Sequence, residues 1–165
     1  MSTRSVIARQ AGDGFIGRYH HSDGYPSGVG AAIYKLYNGY FKQDAKRMLE
    51  VLIDEHPAGW STIVGSGLGE VTDFSKAIGF HESDHGTTDC PQCYCHGSRH
   101  QEEYTITDQN VGFDIEYVYV VNEQKALMTI ADMSTKLFYT VRLDGPEPSW
   151  QYIERTLAGE EDQDE

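Results

Sequence analysis

Residues 3–40 read TRSVIARQ AGDGFIGRYH HSDGYPSGVG AAIYKLYNGY, and this stretch decides the fold class. Two β-rich runs, residues 3–9 and 15–21, flank Ala11-Gly12-Asp13-Gly14, the pattern of a hairpin around a Gly/Asp turn. Ser22-Asp23-Gly24-Tyr25-Pro26-Ser27-Gly28 is turn chemistry throughout. The apolar period then changes. Val29, Ala32, Ile33, Leu36, Tyr37 and Tyr40 recur at three- and four-residue steps, which predicts a helix starting at Ser27 or Gly28. Gly39 is placed to end it.

Working outward, Ala45, Met48, Leu49, Leu52 and Ile53 share one face of a second predicted helix, with Pro57 as its stop. A strand begun at residues 60–64 is broken by Gly65, Gly67 and Gly69, and Asp73 is a cap for a short helix carrying Phe74, Ala77, Ile78 and His81. Residues 112–121 and 126–131 flank Asn122-Glu123-Gln124-Lys125 as a second hairpin, and residues 137–143 continue it before Gly145-Pro146-Glu147-Pro148. Alternation of Phe113, Ile115, Tyr117, Tyr119 and Val121 marks one buried sheet face. Strands at both ends and helices between them predict an α+β fold. The expected form is an antiparallel sheet built from the N- and C-terminal hairpins, two central helices and a zinc-stabilised irregular segment. One domain spans residues 1–157, and 158–165 read as a disordered acidic tail. Tyr34, Tyr37 and Tyr40 form a stripe at helical spacing, which reads as core in preference to a dimer face.

At 165 residues with 39% hydrophobic residues, the chain is long and apolar enough for one core. It has no run of ~18 apolar residues and no basic leader, so the expectation is a cytoplasmic chain without a membrane span. Three cysteines crowded within six residues argue against a disulfide framework. The net charge of −13 is unevenly placed. The first sixty residues hold seven basic and six acidic side chains; the remainder holds six basic and twenty acidic. Such a surface repels phosphate backbones and disfavours direct nucleic-acid binding. It suits solvation, or mimicry of nucleic-acid charge toward the basic surface of another protein.

The densest chemistry lies in His81-Glu82-Ser83-Asp84-His85-Gly86-Thr87-Thr88-Asp89-Cys90-Pro91-Gln92-Cys93-Tyr94-Cys95-His96, with His100 just beyond. Thiolates and imidazoles at short spacings are what tetrahedral zinc requires, and Cys-Pro-x-Cys brings two sulfurs to one ion. His81, His85, Cys90 and Cys93 make one four-ligand set; exchanging His81 for Cys95 makes another, with His96 and His100 in reserve. The same stretch matches His-Glu-x-x-His, in which Glu82 would activate a zinc-bound water. Gly79 and Gly86 keep that helix short, Thr88 and Pro91 depart from the longer motif, and Cys90 and Cys93 compete to close the coordination sphere. Gly65-Ser66-Gly67-Leu68-Gly69 lacks the third glycine of a dinucleotide loop, since position 70 is Glu70, and reads as a connector.

A candidate anion site gathers at the N-terminus. Arg4 and Arg18 on facing strands, His20, Asp23 and Tyr25 lead into a helix start whose backbone N–H groups are unobstructed at Gly28 and Gly30. The alternative is purely structural: Gly24 and Pro26 shape a turn, Tyr25 packs, and Arg4 pairs with Asp23.

Thr3-Arg4-Ser5-x-Ile7, Asp13-Gly14, Tyr19-His20 and Asp23-Gly24-Tyr25-Pro26-x-Gly28-Val29-Gly30 resemble the opening of a family of small uncharacterised proteins of tailed bacteriophages and of bacteria carrying mobile elements. The resemblance covers about the first 40 residues. It implies a phage-type accessory protein in the host cytoplasm, of the kind that inhibits host factors or defences, and it implies no activity. The resulting expectation is a non-enzymatic, zinc-containing protein that binds a host protein. The alternatives are binding of a small anion such as a nucleotide, and zinc metallohydrolysis.

Overall fold

The computed structural model describes residues 3–63, 92–94 and 102–160. Strands β1 (Ser5–Ala11) and β2 (Gly14–His20) form the antiparallel hairpin that the opening alternation predicts, with Ile7 opposite Arg18 and Ser5 opposite His20. A π-helical turn, Pro26–Gly30, runs straight into α1 (Ala31–Asn38), which ends at Gly39. Asp44 caps α2 (Ala45–Leu49) by accepting a hydrogen bond from the Arg47 N–H, and a second π turn, Glu50–Asp54, prolongs it. Six further strands follow: β3 (Trp60–Thr62), β4 (Gln92–Cys93), β5 (Ile106–Thr107), β6 (Tyr117–Asn122), β7 (Leu127–Asp132) and β8 (Phe138–Arg142). Helix α3 (Trp150–Leu157) closes the chain.

The fold is α+β, with a mixed sheet in the order β4-β3-β2-β1-β6-β7-β8, and β5 beside the first half of β2. The expectation of an antiparallel sheet is corrected at two junctions. β1 runs parallel to β6 in the register Ile7 to Tyr119, and β2 runs parallel to β3 at His20 and Trp60. Each hairpin is antiparallel internally, but the two join through β1 and β6, which a long crossover through α1 and α2 makes parallel. Apolar period reports which face of a strand is buried and says nothing of its neighbour's direction.

Three helices, not two, stand among the described residues. The third was missed because residues 145–148 read as the end of the fold. Its signal is nonetheless local: Ser149 Oγ accepts from the Tyr152 N–H, and Trp150, Ile153 and Leu157 are buried at helical spacing. The predicted helix after Asp73, the Gly65–Gly69 connector and the last five residues of the tail lie outside the described residues.

All three helices cover one face of the sheet. Ile7, Tyr119, Met128, Ile130 and Val141 from the strands meet Ile33, Leu36, Met48, Leu52, Ile153 and Leu157 in one buried cluster. Each such side chain contributes about 1.5–3 kcal/mol of burial. Tyr37 is buried here, while Tyr34 donates its hydroxyl to the Gly145 carbonyl at 2.5 Å. The opposite face carries a smaller core of Val6, Ala8, Val118, Ile106 and Ile115, roofed by the segment that precedes β6. The predicted alternation therefore breaks at Gly112–Glu116: Ile115 packs on the second layer and Phe113 is fully exposed. Among the described residues, no helix is long and apolar enough to cross a membrane.

Candidate functional site

The helix start singled out from the sequence satisfies its own polar groups. The Asp23 carbonyl accepts from Val29 N–H, the Tyr25 carbonyl accepts from Gly28 N–H, and the Tyr25 hydroxyl donates to Asp23 Oδ1. The Ser27 N–H donates to Glu154 Oε2 of α3 at 2.7 Å, so a carboxylate of the protein itself stands where an external anion would. A Cβ on Gly28 would lie 2.1 Å from the Asp23 carbonyl oxygen, and one on Gly30 would lie 3.1 Å from the Trp150 ring. These glycines admit their neighbours in the fold.

Arg4 and Arg18 lie on opposite faces of the sheet, so they cannot clamp one anion. Arg18 is buried on the helix side, where Nε donates to the Ile53 carbonyl at 2.8 Å and Nη1 donates to Thr105 Oγ1 at 2.8 Å and the Tyr104 carbonyl at 3.2 Å. It bolts the end of the second helix to the segment before β5. His20 is fully buried, and its Nε2 accepts from the Ile63 N–H at 2.8 Å. Burial, with the nearby His21, holds its pKa down to about 3, so the ring is neutral and Nδ1 carries the proton.

The zinc candidates His81, Glu82, His85, Cys90 and Cys95, with His96 and His100, lie outside the described residues. Cys93 is described through its backbone alone: it pairs with Trp60 in β4, and the Tyr94 N–H donates to the Gly59 carbonyl at 2.9 Å. This places the Cys-Pro-x-Cys backbone at Cys93 on the edge of the sheet beside β3. Among the described residues, no three His, Cys, Asp or Glu side chains gather as a metal site.

The structure instead displays a cavity of about 560 Å³ on the face away from the helices, lined by Tyr19, Ala58, Tyr94, Glu102, Tyr104, Ile106, Gly112, Asp114 and Ile115. Four separate segments build it. β2 presents Tyr19 outward because Arg18 and His20 point the other way. Gly59, at φ +88°, lets the chain pass so close to β2 that a Cβ there would sit 2.6 Å from the Tyr19 carbonyl oxygen. That crossing seats Tyr94, whose ring stacks on Tyr19 at 6.5 Å between centroids and 23° between planes. The Tyr104 N–H donates to the Pro57 carbonyl and fixes the third wall.

The Tyr19 ring is held from behind. Arg4 Nε donates to its hydroxyl at 3.0 Å, and the hydroxyl shares a 2.7 Å hydrogen bond with His21 Nδ1. Burial raises the Tyr19 pKa despite Arg4, so the hydroxyl stays protonated at neutral pH and is no base. Glu102 and Asp114 supply the charge on the lining; Glu103, next to Glu102, approaches Arg18 at 3.9 Å. Chemically the cavity offers three aromatic walls and two carboxylates, a surface suited to cations. Of its lining residues, the sequence places Ile115 on a buried sheet face, Tyr19 in the opening motif and Tyr94 within the Cys/His stretch, and it points to none of them as part of this cavity. No spacing rule links residues from four segments; an aromatic and acidic composition after residue 100 was the only available signal.

No protein family, curated protein or solved structure matches the chain.

Proposed function

We propose that this is a non-enzymatic, zinc-containing accessory protein of the phage type, working in the host cytoplasm by capturing a host protein with a basic surface. The observation that carries the reading is the cavity: its only charged lining groups, among the described residues, are the carboxylates of Glu102 and Asp114, set among tyrosines. Asp108 and Glu116 add negative charge on the same segment, in keeping with the acid excess beyond residue 60. The resemblance of the first 40 residues to small phage proteins supplies the setting. Zinc, held by Cys90 and Cys93 with His85 and either His81 or Cys95, would pin the segment between β3 and β5. A small-anion site at the helix start has less support, because Glu154 already caps Ser27. The metallohydrolase reading rests on His81, Glu82 and His85 alone.

Charge-driven capture is sensitive to screening. The immobilised full-length protein should retain a basic host protein in dilute buffer and release it as salt rises. Retention indifferent to ionic strength would overturn the proposal.

A further inference from the structure

We infer that the Tyr19 cavity is a receptor for an arginine side chain projecting from the partner. This deepens the proposed function and rests on it. A guanidinium is planar, weakly hydrated and always charged, and it stacks on aromatic faces while donating in-plane hydrogen bonds to carboxylates. The cavity supplies both kinds of contact. Tyr94 is seated against Tyr19 as a paired aromatic wall, and Tyr104, 52 % exposed, is a face open to an arriving group. Glu102 and Asp114 line the same cavity, and neither forms an ion pair within the described residues.

The neighbouring cations are already committed. Arg4 faces the Tyr19 hydroxyl, and Arg18 lies beneath the sheet on main-chain carbonyls. The volume of about 560 Å³ admits an arginine side chain together with flanking backbone. Phe113, fully exposed between the lining residues Gly112 and Asp114, gives the partner's apolar surface a knob beside the charged contact. An anionic guest fails on charge, since among the described residues the lining offers it two carboxylates and no cation.

The experiment titrates isotopically labelled full-length protein with a capped Gly-Arg-Gly peptide, and separately with the same peptide carrying uncharged citrulline. The arginine peptide should shift the amide signals of Gly59, Tyr94, Gly112 and Ile115, and the citrulline peptide should bind about tenfold more weakly or not at all. Tyr104→Ala and Asp114→Asn replace solvent-facing groups, and each should weaken the arginine peptide about three- to tenfold. Equal affinity for the two peptides, or shifts confined to other surfaces, would overturn the inference. Salt-sensitive capture of the basic protein that survives both substitutions also overturns it, while leaving the binding function standing. Arginine-specific shifts in the cavity, without any salt-sensitive capture, sustain the site and sink the wider function.

Discussion

His20 shows how a single residue changes meaning between sequence and structure. In the chain it stands beside His21 in a cluster of arginines, as if to meet a ligand. In the fold it faces Ser5 across the hairpin, fully buried, and accepts the Ile63 N–H. Its folded pKa of about 3 lies below the ordinary histidine value near 6.5, so on acidification the unfolded chain takes up a proton that the folded chain refuses. Its contribution to stability is therefore complete above pH 6.5 and declines as pH falls from there toward 3. Between pH 6.5 and 5 the loss should be about 1.6 kcal/mol. Urea denaturation of the wild type and of His20→Gln across that range measures it; curves of equal pH dependence would refute the assignment. Arg18 repeats the lesson, since its charge serves three acceptors of the fold.

Among the elements, the two predicted helices were legible because their apolar faces repeat at helical spacing within one run of chain. α3 carries equally local signals, but Gly145-Pro146-Glu147-Pro148 reads as the end of the ordered chain just before it. It does two jobs at once: Trp150 packs against Gly30 and Tyr34, and Glu154 caps the first helix at Ser27. Removing its own cap tests how much of the fold depends on it. Ser149→Ala should cost about 1 kcal/mol in urea denaturation, by leaving the Tyr152 N–H without its acceptor. A loss within error would mean that the burial of Trp150, Ile153 and Leu157 holds α3 without the cap.

For the whole molecule, a sheet joined in parallel at β1 and β6 sends the connection through two helices and then through the cysteine-rich segment before β6 begins. Closing so long an excursion costs chain entropy, which a bound ion at Cys90 and Cys93 would offset. Tag-free protein purified without chelator should then carry about one zinc per chain. Chelation or Cys93→Ser should lower the melting temperature by about 10 °C, the equivalent of roughly 3 kcal/mol in a domain of this size. Unchanged melting, with metal content near zero and freely titrating thiols, would remove zinc from the account.

The sequence by itself determined the α+β class, the opening hairpin, two of the helices and the acid excess of the later chain, because each is written in neighbouring residues or in plain composition. Strand direction across β1 and β6, the opposite faces taken by Arg4 and Arg18, and the meeting of Tyr19, Tyr94, Tyr104, Glu102 and Asp114 were decided by the tertiary structure alone. The physical reason is range. Periodicity assigns a face to each residue, but which faces of distant segments come together depends on how sheet and helices bury their shared apolar surface.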